Sequence, residues 1–213
     1  AIVVQGGQGG GHTGNVATSI LLPQVVDAVG GRIPVVAAGG FFDGRGLVAA
    51  LAYGADGVAM GTRFLLSSDS AVPDAVKQRY LGAGVADTVV SRDVDGVPHR
   101  VLATELVEQL GRRRWLALPR ALRNAQRFRA LTKTPYRQML REGLAMRRSM
   151  DLTVAQMIMA ANTPMLLKAA LVDGKVESGV MASGQVVGVI DDLPSCQEIV
   201  AGIIADAREV LAR

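Results

Sequence analysis

One imidazole stands in a stretch from which nearly every other side chain has been removed, Gln5-Gly-Gly-Gln-Gly-Gly-Gly-His12-Thr-Gly14. A titratable ring in a glycine loop leaves room for a flat ligand and sets a proton-transfer group beside it. His12 is therefore the candidate catalytic residue. Two further loops, Gly39-Gly40 and Met60-Gly61-Thr62, offer bare amides that can approach a phosphate closely, and the Thr62 hydroxyl adds a donor. His99 follows Asp95-Gly96 and is expected at the surface. Cys196 is expected to be a buried spectator, and Asp191-Asp192 ordinary turn residues.

These loops need elements to hold them. Each follows a short β-rich run: residues 1–5, which read as a buried parallel strand, then 33–38, then 57–60. Between them, residues 16–29 have helical spacing and stop at Gly30-Gly31, and Asp43 can cap a helix running to Gly54. Three βα units in succession predict parallel strands, right-handed crossovers and ligands at the strands' carboxyl ends. Phosphate-type loops on two consecutive strands are the arrangement that a (β/α)8 barrel uses after strands seven and eight.

Beyond residue 70 the pattern changes. Residues 73–81 read as a helix. Residues 88–104 read as two extended runs joined by a two-residue hairpin turn at Asp95-Gly96. Residues 105 to about 170 are mostly helical, broken near Pro119, Pro135 and Pro164, and carry six of the eight methionines, whose default role is packing. Residues 182–189 form a Gly-containing loop or strand. Ser195-Cys-Gln-Glu198 is a capping box that opens a last amphipathic helix. The expected organisation is 1–70 as C-terminal βα units of a barrel, 71–175 as a hairpin and helical insertion, and 176–213 as the return loop and closing helix.

Composition narrows the function classes. Of 213 residues 49% are hydrophobic, and the mean hydropathy of +0.28 supports a substantial core. No run approaches the roughly 18 apolar residues of a membrane-spanning helix. One cysteine excludes an internal disulfide, and no Cys/His spacing suits a metal, so a reducing cytoplasm is the expected location. Residues 112–148 hold twelve Arg or Lys against only Glu142, a local +11, which leaves −7 for the rest of a chain of net +4. Such a field draws anionic partners. Trp115, Phe128 and Tyr136 do not form a stacking module, so nucleic acid is not the expected partner, and neither is a membrane.

The order and spacing of these motifs resemble a known family. Gln5 with His12-Thr13-Gly14, then Leu22-Pro23, Pro34 to Gly40, Asp43 to Gly46, Gly54 to Val58, Met60 to Phe64 and finally Ser183-Gly184-Gln185 are similar to the FMN-dependent nitronate monooxygenases, formerly 2-nitropropane dioxygenases. That family is related to the flavin-dependent enoyl-acyl-carrier-protein reductases. The resemblance implies an α/β fold that is the C-terminal portion of a TIM barrel, about its last three βα units, plus a largely helical cap. It implies bound FMN, with Gln5 and Gly10 beside the flavin, Gly39, Gly40, Met60, Gly61 and Thr62 around the phosphate, and His12 as the base. Gln185 is an expected flavin or substrate contact. Where the family often has Glu-Ala this sequence has Gln8-Gly9, which removes one carboxylate from the rim. The resemblance also places His12 past the middle of the barrel, so roughly the first half of a ~250-residue unit is expected outside this sequence, in the same chain or as a separate segment or chain.

The expected activity is that of an FMN-dependent oxidoreductase of nitronate monooxygenase type. A second version acts on an acyl-CoA or acyl-carrier thioester, which the basic stretch favours because those carriers bring phosphates. A third reading is a non-catalytic flavin-binding subunit. NAD(P)H is a candidate reductant and a homodimer a candidate assembly.

Overall fold

The computed structural model describes residues 1–112 and 162–213 and, between them, Pro119, 122–124, Gln126, Ala130, Arg137 and Arg141. Most of the basic stretch, and the methionines at 139, 146, 150, 157 and 159, lie outside the described residues.

The chain divides into two compact units: Ala1–Val89 with Arg100–Leu102 and Ala182–Arg213, and Val90–His99 with Ala103–Met181. In the first unit the strands β1 (Ile2–Gln5), β3 (Val35–Ala38) and β4 (Gly57–Ala59) form a parallel sheet in the order β1-β3-β4. Val4 pairs with Ala37, and Ala37 with Val58. The crossovers are α1 (Thr18–Val29) and α2 (Gly44–Ala52), as the alternation of apolar runs and helical spacing requires. Asp43 caps α2, its carboxylate accepting the Gly46 N–H at 2.9 Å. Val4, Leu22, Val35, Ala37, Phe41, Ala50 and Ala55 form the core beneath this sheet, with Val25, Val58 and Met60 packed against it.

Strand β1 is parallel as expected, but it is not buried throughout. It pairs only with β3 among the described residues, and Val3 is 65% exposed while Val4 is 6%.

The short strand β2 (Gly11–His12) belongs to a second sheet in the order β2-β6-β5, where β5 is Thr88–Ser91 and β6 is His99–Leu102. The helix α3 (Gly61–Leu65) directly follows β4, and α4 (Asp74–Leu81) follows in turn. The closing helix α7 (Cys196–Leu211) opens with the expected capping box, in which Ser195 Oγ accepts the Glu198 N–H at 3.2 Å and the Glu198 carboxylate accepts the Ser195 N–H at 2.8 Å. Cys196 is half-buried, and its N–H donates to Asp69 Oδ2 at 2.7 Å.

In the second unit α5 (Glu105–Arg112) and α6 (Asn162–Leu171) flank the region not described. Two expectations fail here. The link between β5 and β6 is longer than two residues. It is closed by the Gly96 N–H donating to the Arg92 carbonyl at 2.8 Å, and the Asp95 carboxylate accepts the Val97 N–H at 3.1 Å. The carboxylate bends the chain inward, so Asp95-Gly96 is a buried loop turn and not a hairpin tip. His99 accordingly is not a surface residue: it is 2% exposed, with Nδ1 3.6 Å from the Asp95 carboxylate, which also accepts the Thr163 hydroxyl at 2.6 Å. No helix among the described residues is long and apolar enough to cross a membrane.

Candidate functional site

The first unit contains all nine residues that the sequence singles out: Gln5, Gly10, His12, Gly39, Gly40, Met60, Gly61, Thr62 and Gln185. The glycine loop after β1 is held from several directions. Its Gly6 N–H donates to the Ala38 carbonyl at 3.1 Å, tying it to the end of β3. Gln5 turns its amide along the loop and donates to the carbonyls of His12 at 2.7 Å and Gly10 at 3.3 Å. Gln5 therefore shapes the backbone that carries His12. The His12 side chain itself is exposed.

Gln8 and three residues that sequence reasoning did not single out, Thr18, Arg100 and Tyr80, complete this brace. Thr18, at the start of α1, puts its hydroxyl 2.6 Å from Gln8 Oε1 and 2.8 Å from the Gly39 carbonyl, and its N–H donates to the same Gln8 oxygen at 2.9 Å. The helix expected from residue 16 thus begins where the chain is pinned to both strand ends. Gln8, which stands where the resembled family often carries an acid, spends its side-chain oxygen on that link. Arg100 on β6 donates through Nη2 to the Gly7 carbonyl at 2.8 Å and through Nη1 to Thr88 Oγ1 at 3.0 Å. Burial lowers the pKa of its guanidinium, which remains a cation at neutral pH. Tyr80, fully buried, donates its hydroxyl to the Ala182 carbonyl at 2.8 Å, and burial pushes its phenol pKa upward. None of Thr18, Arg100 and Tyr80 sits in a glycine motif, and their partners lie 10 to 102 residues away.

The return segment then closes on the loop. The Gln185 N–H donates to the Gln8 carbonyl at 3.0 Å, and a Cβ on Gly10 would lie 2.5 Å from Gly184 N. The backbones meet there at a distance that only glycine permits. Gln185 opens a short 3-10 turn, Gln185–Val189, so the loop-or-strand expectation resolves into a turn.

At the end of β3 a Cβ on Gly39 would likewise lie 2.9 Å from Gly6 O and Gly9 N, whereas the end of β4 is different. Gly39 and Gly40 have φ of +85° and +92°, which a side chain would strain. Gly40 and Gly61 are exposed, and no described residue lies within 4 Å of where a Gly61 Cβ would stand. Thr62 Oγ1 accepts the Gly184 N–H at 3.0 Å, so the hydroxyl's own hydrogen can be given to an acceptor. Met60 turns its side chain onto the core, so what it offers a ligand is backbone. Bare glycine amides and a hydroxyl at adjacent carboxyl ends of parallel strands form a donor set that fits a phosphate. His12 is the titratable side chain of the neighbouring loop, suited to accepting or returning a proton.

A model of the family described as nitronate monooxygenase matches residues 1–206. A (3aS,4S,5R,7aS)-5-hydroxy-7a-methyl-1-oxo-octahydro-1H-indene-4-carboxyl-CoA dehydrogenase of Mycobacterium tuberculosis is 65% identical over 97% of this chain and 59% of its own length. Among solved structures, FabK from Thermotoga maritima superposes with a TM-score of 0.69 at 30% identity, over 99% of this chain and 55% of its own. A nitroalkane oxidase from Streptomyces ansochromogenes gives 0.66 at 26%, over 99% and 53%. The chain therefore spans somewhat more than half the length of these relatives, and its α/β fold is that of the corresponding part of a TIM barrel.

Proposed function

The chain belongs to the nitronate monooxygenase family, and from that premise we propose that it carries the cofactor site of an FMN-dependent oxidoreductase acting on an acyl-CoA thioester. The observation that carries the cofactor reading is the open cradle at Gly40, Gly61 and Thr62, where glycine at position 61 answers to no packing need among the described residues. In this reading the amides of Gly39, Gly40 and Gly61 and the Thr62 hydroxyl hold the phosphate, with Met60 contributing backbone. Gln5, Gly10 and Gln185 lie along the flavin. Two short loops suit a mononucleotide, hence FMN and not FAD. FMN, when bound, supplies the two-electron acceptor or donor.

His12 moves the proton. It accepts it at the substrate carbon or oxygen from which electrons are withdrawn, and returns it in the reverse direction. Gln5 fixes the backbone under His12, so the ring's approach is set by the loop and not by a flexible tether. The thioester substrate is favoured by the name of the relative at 65% identity, a carboxyl-CoA dehydrogenase, and by the +11 stretch at 112–148, which suits the phosphates of coenzyme A. The substrate class is then a fused-ring hydroxy acyl-CoA or a close analogue. Oxidation of a nitronate is the second reading, favoured by the nitroalkane oxidase likeness. NAD(P)H is the proposed reductant in whichever direction the enzyme needs reduced flavin.

The test is an anaerobic absorption spectrum of the full-length protein, titrated in turn with NADH, NADPH, a nitronate and a hydroxy acyl-CoA. Bleaching by the acyl-CoA is the expected result. Bleaching by the nitronate alone moves the assignment to the second reading, and a flavin that none of them reduces identifies a binding subunit without turnover. FAD among the acid-released material overturns the mononucleotide assignment.

A further inference from the structure

Thr62 and Arg63 are consecutive residues in the first turn of α3, and each holds one end of the segment 184–192. Thr62 Oγ1 accepts the Gly184 N–H at 3.0 Å. Arg63 Nη1 donates to Asp192 Oδ1 at 2.7 Å, and Nη2 donates to the Asp192 carbonyl at 3.0 Å. The same Nη2 donates to the Leu66 carbonyl, one residue past the end of α3, at 2.6 Å. The Arg63 side chain is only 8% exposed, and its Nε is buried with no hydrogen-bond partner among the described residues.

A buried guanidinium with one unsatisfied N–H costs stability that a surface turn does not require. What the planar fork provides is reach to three oxygens on two chain segments at once, which a lysine does not match. Helix α3 has five residues, too few to hold its own axis by internal bonds. The direction of the Gly61 and Thr62 amides therefore depends on what the helix is tied to. Arg63 closes its carboxyl end through Leu66 and fixes that end to Asp192, while Thr62 fixes its amino end to Gly184.

From this we infer that Arg63, partnered by Asp192, is a positioning residue for the phosphate cradle: it sets the orientation of α3 without touching the ligand. The inference rests on the cradle reading above. It gives the Asp192 carboxylate a role that its exposed position outside any helix or strand does not suggest.

The test uses apoprotein of the full-length chain, titrated with FMN and with riboflavin by quenching of flavin fluorescence, for the wild type, Arg63→Met, Arg63→Lys and Asp192→Asn. Riboflavin lacks the phosphate, so the FMN-to-riboflavin preference reports the cradle, whereas a general loss of structure lowers both affinities together. The wild type is expected to prefer FMN strongly. Arg63→Met should weaken FMN binding by about tenfold or more, the loss attending one charge-assisted hydrogen bond, with riboflavin nearly unchanged. Arg63→Lys should fall between Arg63→Met and the wild type. Asp192→Asn, which keeps the backbone carbonyl bond and the side-chain size, should lose about threefold. Unaltered FMN affinity in the variants, or parallel losses of FMN and riboflavin, would overturn the inference. A wild type that binds both flavins equally would instead remove the cradle reading, and the inference with it.

Discussion

Two sets of glycines in the first unit serve opposite ends. In the loop after β1 the space is already taken: a Cβ on Gly10 would lie 2.5 Å from the backbone of Gly184, and the loop's carbonyls accept bonds from Gln5 and Arg100. At the end of β4 no described residue lies within 4 Å of a Gly61 Cβ. The first set lets the protein pack against itself and so hold His12 still. The second keeps side chains away from a place that the described residues do not fill. A glycine that packing explains says little about ligands, and one that packing leaves unexplained says more.

The comparison can be broken by substitution. Gly61→Asp should lower FMN affinity by about 10²- to 10³-fold, since a carboxylate would face the phosphate at a few ångströms. Chemical denaturation of that variant should nevertheless change by no more than about 0.5 kcal/mol, because no described residue lies where its side chain would begin. Gly10→Ala should do the reverse, destabilising the fold by about 3 kcal/mol through overpacking against Gly184, as measured by urea unfolding. If Gly10→Ala is harmless and Gly61→Asp unfolds the protein, the two sets have been assigned the wrong way round.

The smallest effect lies outside both sets and serves as their control. Hydrogen bonds from the Ser195 hydroxyl and N–H hold the Glu198 carboxyl below its ordinary pKa. Because the folded value is depressed, this stabilisation is complete above the unfolded value of about 4.3 and fades as pH falls through the folded one. Thermal melts between neutral pH and about pH 3 should show a small acid loss that Glu198→Gln removes, with flavin affinity at neutral pH unaffected.

What could be read from the residues follows the range of the interactions involved. The βα alternation, the Asp43 cap and the Ser195–Glu198 capping box depend on residues within a few positions of each other. The burial of His99 depends on Asp95, which Thr163 holds from 68 residues away, so a histidine beside Asp-Gly reads as exposed. Arg63 with Asp192 joins residues 129 apart and leaves no local trace. The glycine motifs marked where the candidate site lies, but the residues that stiffen it, Thr18, Arg100 and Tyr80, belong to no motif. Their partners become visible only once the strand ends are brought together.

The central claim is that His12 moves a proton while other strands hold the cofactor, and His12→Asn tests it most directly. Rapid-mixing measurement of flavin reduction by the acyl-CoA substrate in the full-length variant, alongside its FMN occupancy, separates the two roles. FMN should remain at wild-type occupancy, because the proposed phosphate donors lie on β3, β4 and α3, while the reduction rate falls by roughly 10² to 10⁴, the share of a general base. An unchanged reduction rate, or loss of FMN with the imidazole, would contradict the account.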